Sequence, residues 1–463
     1  MSASAGGLAT TRAALTVDSA ARTLLYLLPL AVAFGSLAPL AIGPLHAGAT
    51  DAIVAGLVAL GVVSARSSGE LRAVRRQTRT WITSVWRDEP QAVALVGVLL
   101  AYVGVIILSG VVATARSPVL KETLKWSEVV VVVLATWQFI RTGRHALRLV
   151  CAVVVAGLAE ALLGCVQYVL ATGLLGPGGA SIRVFGTFDQ PNPFGGYLNL
   201  ALPFALALAL FGRDARLRWV MGGASALMLF AEYLSGSRGA LLGLVAALFV
   251  LASLGWRVER KVGLTLLALV PVIAIAWFTR LIPARLEDKL LAQFRVNDVA
   301  LNVQLNDANF STIERLAHWV AGLRMFRAHP LLGVGAGNYD AAYARYKVPG
   351  WDESLTHAHN YYINAAAETG ILGLLALLAV TAAAFWVVWR AAHATDWRRQ
   401  TYAALASVDA RALAIGCAAI VMALSIHNLT DDLFVHAMEL QFALTLGLSL
   451  RLAAPQKLAA DAR

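Results

Sequence analysis

Apolar residues fall in blocks along this chain, and short polar gaps separate them. Crossing a bilayer takes about 20 apolar residues as helix. Twelve candidate blocks can be marked: about Leu24–Ile42, Ala52–Ser64, Ala92–Ala113, Val129–Ile140, Leu147–Leu170, Phe194–Phe211, Trp219–Leu234, Leu241–Leu254, Val262–Phe278, Ile371–Val388, Ala412–Ile426 and Leu433–Leu452. The pattern predicts an all-α polytopic membrane protein of about twelve transmembrane helices. The second and fourth blocks are short, so they are either tilted, extended by their flanks or not spanning. The first exceeds the apolar region of a cleaved signal, about 7–15 residues, and reads as an uncleaved span.

One gap breaks the rhythm. About eighty residues, Thr279–Ala358, separate the ninth and tenth blocks, and loops this long are functional or disordered. Inside it, Ser311-Thr312-Ile313-Glu314 has the form of a capping box. Ile313, Leu316, Val320, Leu323 and Phe326 then recur at helical spacing, with Arg315, Arg324 and Arg327 off that stripe. The helix, about 312–328, ends before Pro330. It either lies on the membrane or the bundle, or covers a site as a lid. Gly333-Val334-Gly335-Ala336-Gly337-Asn338-Tyr339 follows as a flexible, turn-rich run. It lacks the strand and helix a nucleotide-binding glycine loop needs.

Charge orients the blocks. The chain has 463 residues, 59% hydrophobic and only 14% charged, with a formal charge of +11. Arg and Lys concentrate in even-numbered gaps, such as Arg66 to Arg87, Arg213 to Arg218 and Arg390 to Arg411. Basic residues mark cytoplasmic loops, so both termini are expected inside and the long loop outside. Residues 1–280 would hold nine spans, 281–358 the periplasmic loop, 359–454 three spans and 455–463 a cytoplasmic tail. The positive charge thus reports topology, and no nucleic-acid motif accompanies it. Cys151, Cys165 and Cys417 all lie in apolar blocks, which indicates neither disulfides nor a thiolate metal site.

The candidate chemistry lies on the outer face. His357-Ala-His359-Asn360-Tyr361-Tyr362 sits where the long loop meets the tenth block. Polar groups at such a border have either a task or a wet pocket. Arg183 and Arg238 are the only cations in their gaps, and Asp431 and Asp432 occupy the eleventh gap. A guanidinium fork matches phosphate oxygens, although a snorkelling arginine looks the same in sequence. Glu368 lies nine residues beyond His359, on the opposite face if one helix runs through both. Glu160 and Glu232 lie within or near apolar blocks, as functional carboxylates or structural hydrogen-bond partners.

Four segments resemble the O-antigen ligase and polymerase family of bacterial inner-membrane glycosyltransferases. They are Arg183 to Asn192, Ser237-Arg238-Gly239-Ala240, the run His329 to Gly335 with Gly337-Asn338-Tyr339, and His359-Asn360 followed nine residues later by Gly370-Ile371-Leu372-Gly373. Arg315 and Trp319 on the loop helix are similar to the family's pattern. Leu374 and Leu375 stand where ligase members carry two threonines.

The resemblance implies an all-helical GT-C-like fold in the bacterial inner membrane. It implies transfer of a glycan from undecaprenyl diphosphate to a sugar of lipid A-core at the periplasmic face. Arg183, Arg238 and Arg315 would hold the diphosphate and His359 would act as base or orient the acceptor, since a neutral imidazole is an available base near neutral pH. Asn360, His357, Asp431 and Asp432 are supporting candidates. No cofactor and no metal are expected, and attack opposite the diphosphate would invert the anomeric centre. The rivals are an O-antigen polymerase, a protein O-oligosaccharyltransferase and a lipid-linked glycan transporter. Oligosaccharyltransferase relatives generally carry a further C-terminal region, whereas about ten residues follow the last block here.

Overall fold

The computed structural model describes residues 2–35, 40–42, 45–67, 89–172, 183–255, 310–394 and 409–453. They form the helices α1 (Ser2–Phe34), α2 (Ala49–Ser67), α3 (Pro90–Ser109), α4 (Arg116–Phe139), α5 (Gly143–Thr172), α6 (Pro191–Leu198), α7 (Leu202–Phe211), α8 (Ala215–Ser235), α9 (Arg238–Gly255), α10 (Phe310–Ala328), α11 (Tyr339–Tyr346), α12 (Tyr361–Ala394), α13 (Ala410–His427) and α14 (Met438–Ala453). A short antiparallel ribbon, β1 (Leu40–Ile42) and β2 (Leu45–Ala47), joins α1 to α2.

Eleven of the twelve apolar blocks coincide with helices. The twelfth, Val262–Phe278, lies outside the described residues, as do Arg72 to Arg87, Arg257, Arg260, Arg398, Arg399 and the expected tail 455–463. Among the described residues, seven spans are long and apolar enough to cross a membrane, with α6 and α7 counting as one. Helices α2, α4, α8 and α14 fall short of that measure. The chain is therefore a helical polytopic membrane protein, and the count of twelve is not reached among the described residues.

α14 explains its own shortness. Its residues Met438–Leu452 are buried all round, including Gln441, Thr445 and Ser449. A helix apolar on every side with no exposed face belongs inside a bundle. α4 and α12 pack against it, α3 packs along α12, and α13 is clasped by α9, α7 and α12.

The long loop rests on the bundle. α10 packs on α12 and α11, and its buried face is Ile313, Ala317, His318, Val320, Ala321 and Met325. That face is turned from the expected stripe, because Leu316, Leu323 and Phe326 are only half-buried. The helix begins at Phe310, so Ser311 lies within its first turn rather than ahead of it.

The glycine run is stitched to a helix rather than free. α12 breaks at Gly370, with φ 66° and ψ −162°. Into that break the 330–335 backbone makes a short ladder: Val334 N to Ala367 O at 2.9 Å, Gly335 N to Glu368 O at 2.9 Å and Ile371 N to Pro330 O at 2.8 Å. The two main chains touch at their glycines. A Cβ on Gly370 would lie 2.3 Å from the Leu331 carbonyl, and one on Gly333 2.3 Å from the Glu368 carbonyl carbon. Glu368 completes the joint, accepting from Gly337 N at 2.9 Å and Tyr339 N at 3.1 Å.

Candidate functional site

The joint presents a tight turn ahead of α12. His359 has φ 49°, and its carbonyl accepts from Trp319 Nε1 of α10 at 3.1 Å. Its amide donates to His357 Nδ1 at 3.0 Å. Asn360 caps the helix: its Oδ1 accepts from Tyr362 N and Ile363 N, both at 3.0 Å. Its Nδ2 donates to Leu429 O at 2.9 Å, which ties this turn to the loop after α13. Asn360 is thus occupied with backbone groups.

That second loop delivers Asp431. Its Oδ1 lies 3.3 Å from His359 Nδ1 and 4.0 Å from His357 Nε2. Its Oδ2 accepts from Asn192 Nδ2 at 2.8 Å. Asn192 Oδ1 in turn accepts from Arg183 Nη2 at 3.3 Å. A continuous polar chain therefore runs from Arg183 through Asn192 and Asp431 to His359. Burial alone would raise the Asp431 carboxyl, but the His359 hydrogen bond and the neighbouring imidazoles outweigh it and hold the group well below the usual carboxylate range.

With Nδ1 turned to a carboxylate, the Nδ1–H tautomer is favoured and Nε2 is left as an acceptor. His359 Nε2 is buried with no hydrogen-bond partner among the described residues. Its ring packs edge-on against His357, centroids 4.4 Å apart, and against His318 of α10 at 5.4 Å. Burial, then the nearby His359, lowers both His357 and His318 to about 4. Both are therefore neutral at pH 7.

Three guanidinium groups gather beside this chain. Arg183 Nε donates to Ser235 O at 2.8 Å. Arg238 opens α9, where unpaired amides and the helix dipole favour an anion. Arg183 is lowered by burial and then by Arg315 and Arg238, so the three share one field. The loop carrying Arg183 is held by α5: Glu160 accepts from Thr187 N at 3.1 Å, and Gln167 accepts from Gly186 N at 2.8 Å. Glu160 and Glu232, which accepts from Asn199 Nδ2 at 3.2 Å, are structural hydrogen-bond partners here.

The sequence candidates divide accordingly. His359, His357, Asp431, Arg183, Arg238 and Arg315 converge. Asp432 turns away to accept from Phe434 N at 2.9 Å, and burial raises it to about 6. Glu368 serves the glycine joint and does not orient His359. Sequence reasoning missed His318 and the bridging role of Asn192. His318 sits one residue before Trp319 on the buried face of α10, which was its only signal. His357, His359 and Asp431 also place three ligand atoms within 4.8 Å of one another, a geometry that could hold a metal ion.

Residues 223–378 match the family model described as O-antigen ligase. No curated protein matches the chain. The matched stretch includes Arg238, Arg315, His357, His359, Asn360 and both halves of the glycine joint, while Arg183 and Asp431 lie outside it. The match to the O-antigen ligase family thus covers residues 223–378, about a third of the chain.

Proposed function

We propose that this protein transfers a glycan from undecaprenyl diphosphate to a hydroxyl of lipid A-core at the periplasmic face of the inner membrane, within a GT-C-like helical frame. The observation that carries this reading is the bare Nε2 of His359, backed by Asp431 and flanked by three arginines. His359 Nε2 takes the proton from the acceptor hydroxyl. The acceptor oxygen bonds to the anomeric carbon as that carbon's bond to the phosphate oxygen breaks. The departing diphosphate keeps the electron pair, and Arg183, Arg238 and Arg315 stabilise its charge. Asp431 holds the resulting imidazolium, and the proton then leaves to water. Attack opposite the diphosphate inverts the anomeric centre. Three nearby guanidinium charges oppose a dication at His357, His359 and Asp431, so the reaction is metal-independent.

The test is transfer by purified protein in detergent, given undecaprenyl-diphosphate glycan and lipid A-core in EDTA, beside His359→Ala. Glycan on lipid A-core with wild type, and a loss of about 10²–10⁴ in rate with the variant, is the expected result. Near-normal turnover by His359→Ala removes the base role. Leu374 and Leu375 in place of threonines favour a second reading, an O-antigen polymerase. Longer lipid-linked glycans instead of ligated lipid A-core would establish it.

A further inference from the structure

A chamber of about 210 Å³ adjoins His357, and none of the three arginines lines it. At ~30 Å³ per water it has room for about seven. Tyr102, Glu122 and Lys125 come from α3 and α4, Asn364 and Glu368 from α12, and Asp432 from the loop before α14. His357 and Thr356 form the wall next to His359. This is a carboxylate-rich space within a membrane protein's helix bundle, where polar linings mark substrate paths.

Its lining is rich in acidic groups where the other cluster is rich in arginine. Three carboxylates line it against one amine, Lys125, which donates to Glu122 Oε1 at 2.8 Å and to Phe434 O at 3.0 Å. Glu368 is saturated by the glycine joint. No protein hydrogen bond reaches Glu122 Oε2 or Asp432 Oδ2 among the described residues. A second cavity of about 370 Å³ shares Lys125 and continues the theme with Asp51, Glu128 and Glu439. Glu439 is 3% exposed, yet its Oε2 has no partner among the described residues. A buried carboxylate oxygen left bare on a cavity wall calls for a donor from a ligand.

Vicinal sugar hydroxyls supply such donors, and Asn364, Tyr361 and Lys125 answer their lone pairs. A diphosphate does not belong here, because the carboxylates repel it and the guanidinium cluster attracts it. In-line displacement requires the acceptor and the leaving group on opposite sides of the reacting carbon. The acidic chamber and the arginine cluster are separate linings, and His357 belongs to the chamber while feeling the charge of Arg315.

We propose that this chamber is the acceptor subsite, taking phosphate-free pyranose rings of the acceptor saccharide through Glu122 and Asp432. The proposal rests on the transferase reading above.

The experiment measures binding and transfer separately. Full-length protein in nanodiscs is titrated with core oligosaccharide stripped of acyl chains and phosphate, and separately with the undecaprenyl-diphosphate glycan. Wild type is compared with Glu122→Ala, which removes the carboxylate whose Oε2 faces no protein donor among the described residues, and Ala365→Leu, which fills the chamber. Acceptor affinity should fall about tenfold or more in both, as expected for a charge-assisted hydrogen bond. Donor affinity should stay within about twofold, which also reports folding. Should Ala365→Leu not fold, Glu122→Ala and Glu122→Gln decide. Unchanged acceptor affinity and acceptor KM in a transferring enzyme overturn the chamber and leave the transferase reading standing. Wild type that binds the oligosaccharide through Glu122 without transferring keeps the saccharide subsite and overturns the transferase reading. Wild type that binds no oligosaccharide overturns the chamber.

Discussion

Asp431→Asn changes one atom and tests the His359 assignment directly. The carboxylate sits 3.3 Å from His359 Nδ1 and 2.8 Å from Asn192 Nδ2, accepting on both sides. An amide can accept on only one side. If its oxygen faces Asn192, its NH₂ faces His359 and drives the proton to Nε2, so the base is lost. If it turns around, two NH₂ groups oppose each other at Asn192, whose own oxygen is held by Arg183. The charge is lost in either case. At 3.3 Å and an effective dielectric of about 20, a carboxylate stabilises an imidazolium by roughly 5 kcal/mol before desolvation is counted. Turnover should therefore drop by roughly 10³–10⁴, with donor KM little changed. Single-turnover transfer assays on protein of unchanged thermal midpoint measure it. A variant within tenfold of wild type would refute the dyad.

Further expectations follow from the same geometry. Arg238→Lys keeps the charge at the start of α9 and loses the fork, so donor KM should rise clearly in steady-state transfer; full activity would mean that only charge matters there. Gly370→Ala puts a methyl 2.3 Å from the Leu331 carbonyl at a φ of 66°, which should cost about 3 kcal/mol or more and lower the thermal midpoint sharply. His318 and His357 are depressed from 6.5 to about 4 by burial. Their neutral form is favoured in the fold, so the stability they contribute is complete above pH 6.5 and is lost as pH falls toward 4. The loss is on the order of 3 kcal/mol per imidazole. Hydrogen exchange in the 339–361 segment between about pH 7.5 and 4 should show it, and a flat profile would contradict it.

Much of this was legible in hydropathy, because lipid allows only long apolar helices, although α4 begins 13 residues and α12 10 residues ahead of their blocks. Lone cations in basic-free gaps also led to Arg183 and Arg238, since an unbalanced charge stands out locally. What the sequence could not provide was pairing across distance. Asp431 and Asp432 are adjacent and alike in sequence, yet one meets an imidazole and the other turns to Phe434 N. Asn192 closes a segment that carries the family resemblance, yet nothing in the sequence assigns it a role, and it proves to bridge Arg183 to Asp431. His318 lay off the apolar stripe because a buried face that packs on protein accepts an imidazole as readily as a leucine. The glycine run read as loose because nothing in it announces a partner some thirty residues away at Gly370.

The splice at Gly370 has a consequence for how such a chain varies over time. Main-chain atoms alone form its ladder, so Leu331, Leu332 and Val334 can drift among apolar types without disturbing it. Neither glycine can take a side chain, because a Cβ on Gly370 would meet the Leu331 carbonyl and one on Gly333 the Glu368 carbonyl. Two runs far apart in the gene are therefore one heritable unit, and related chains should keep both or remodel both. The imidazole-bearing turn is inherited with that unit, while beyond Ile371 only exposed positions of α12 such as Leu375, Leu378 and Trp389 are left free to adapt to surrounding lipid.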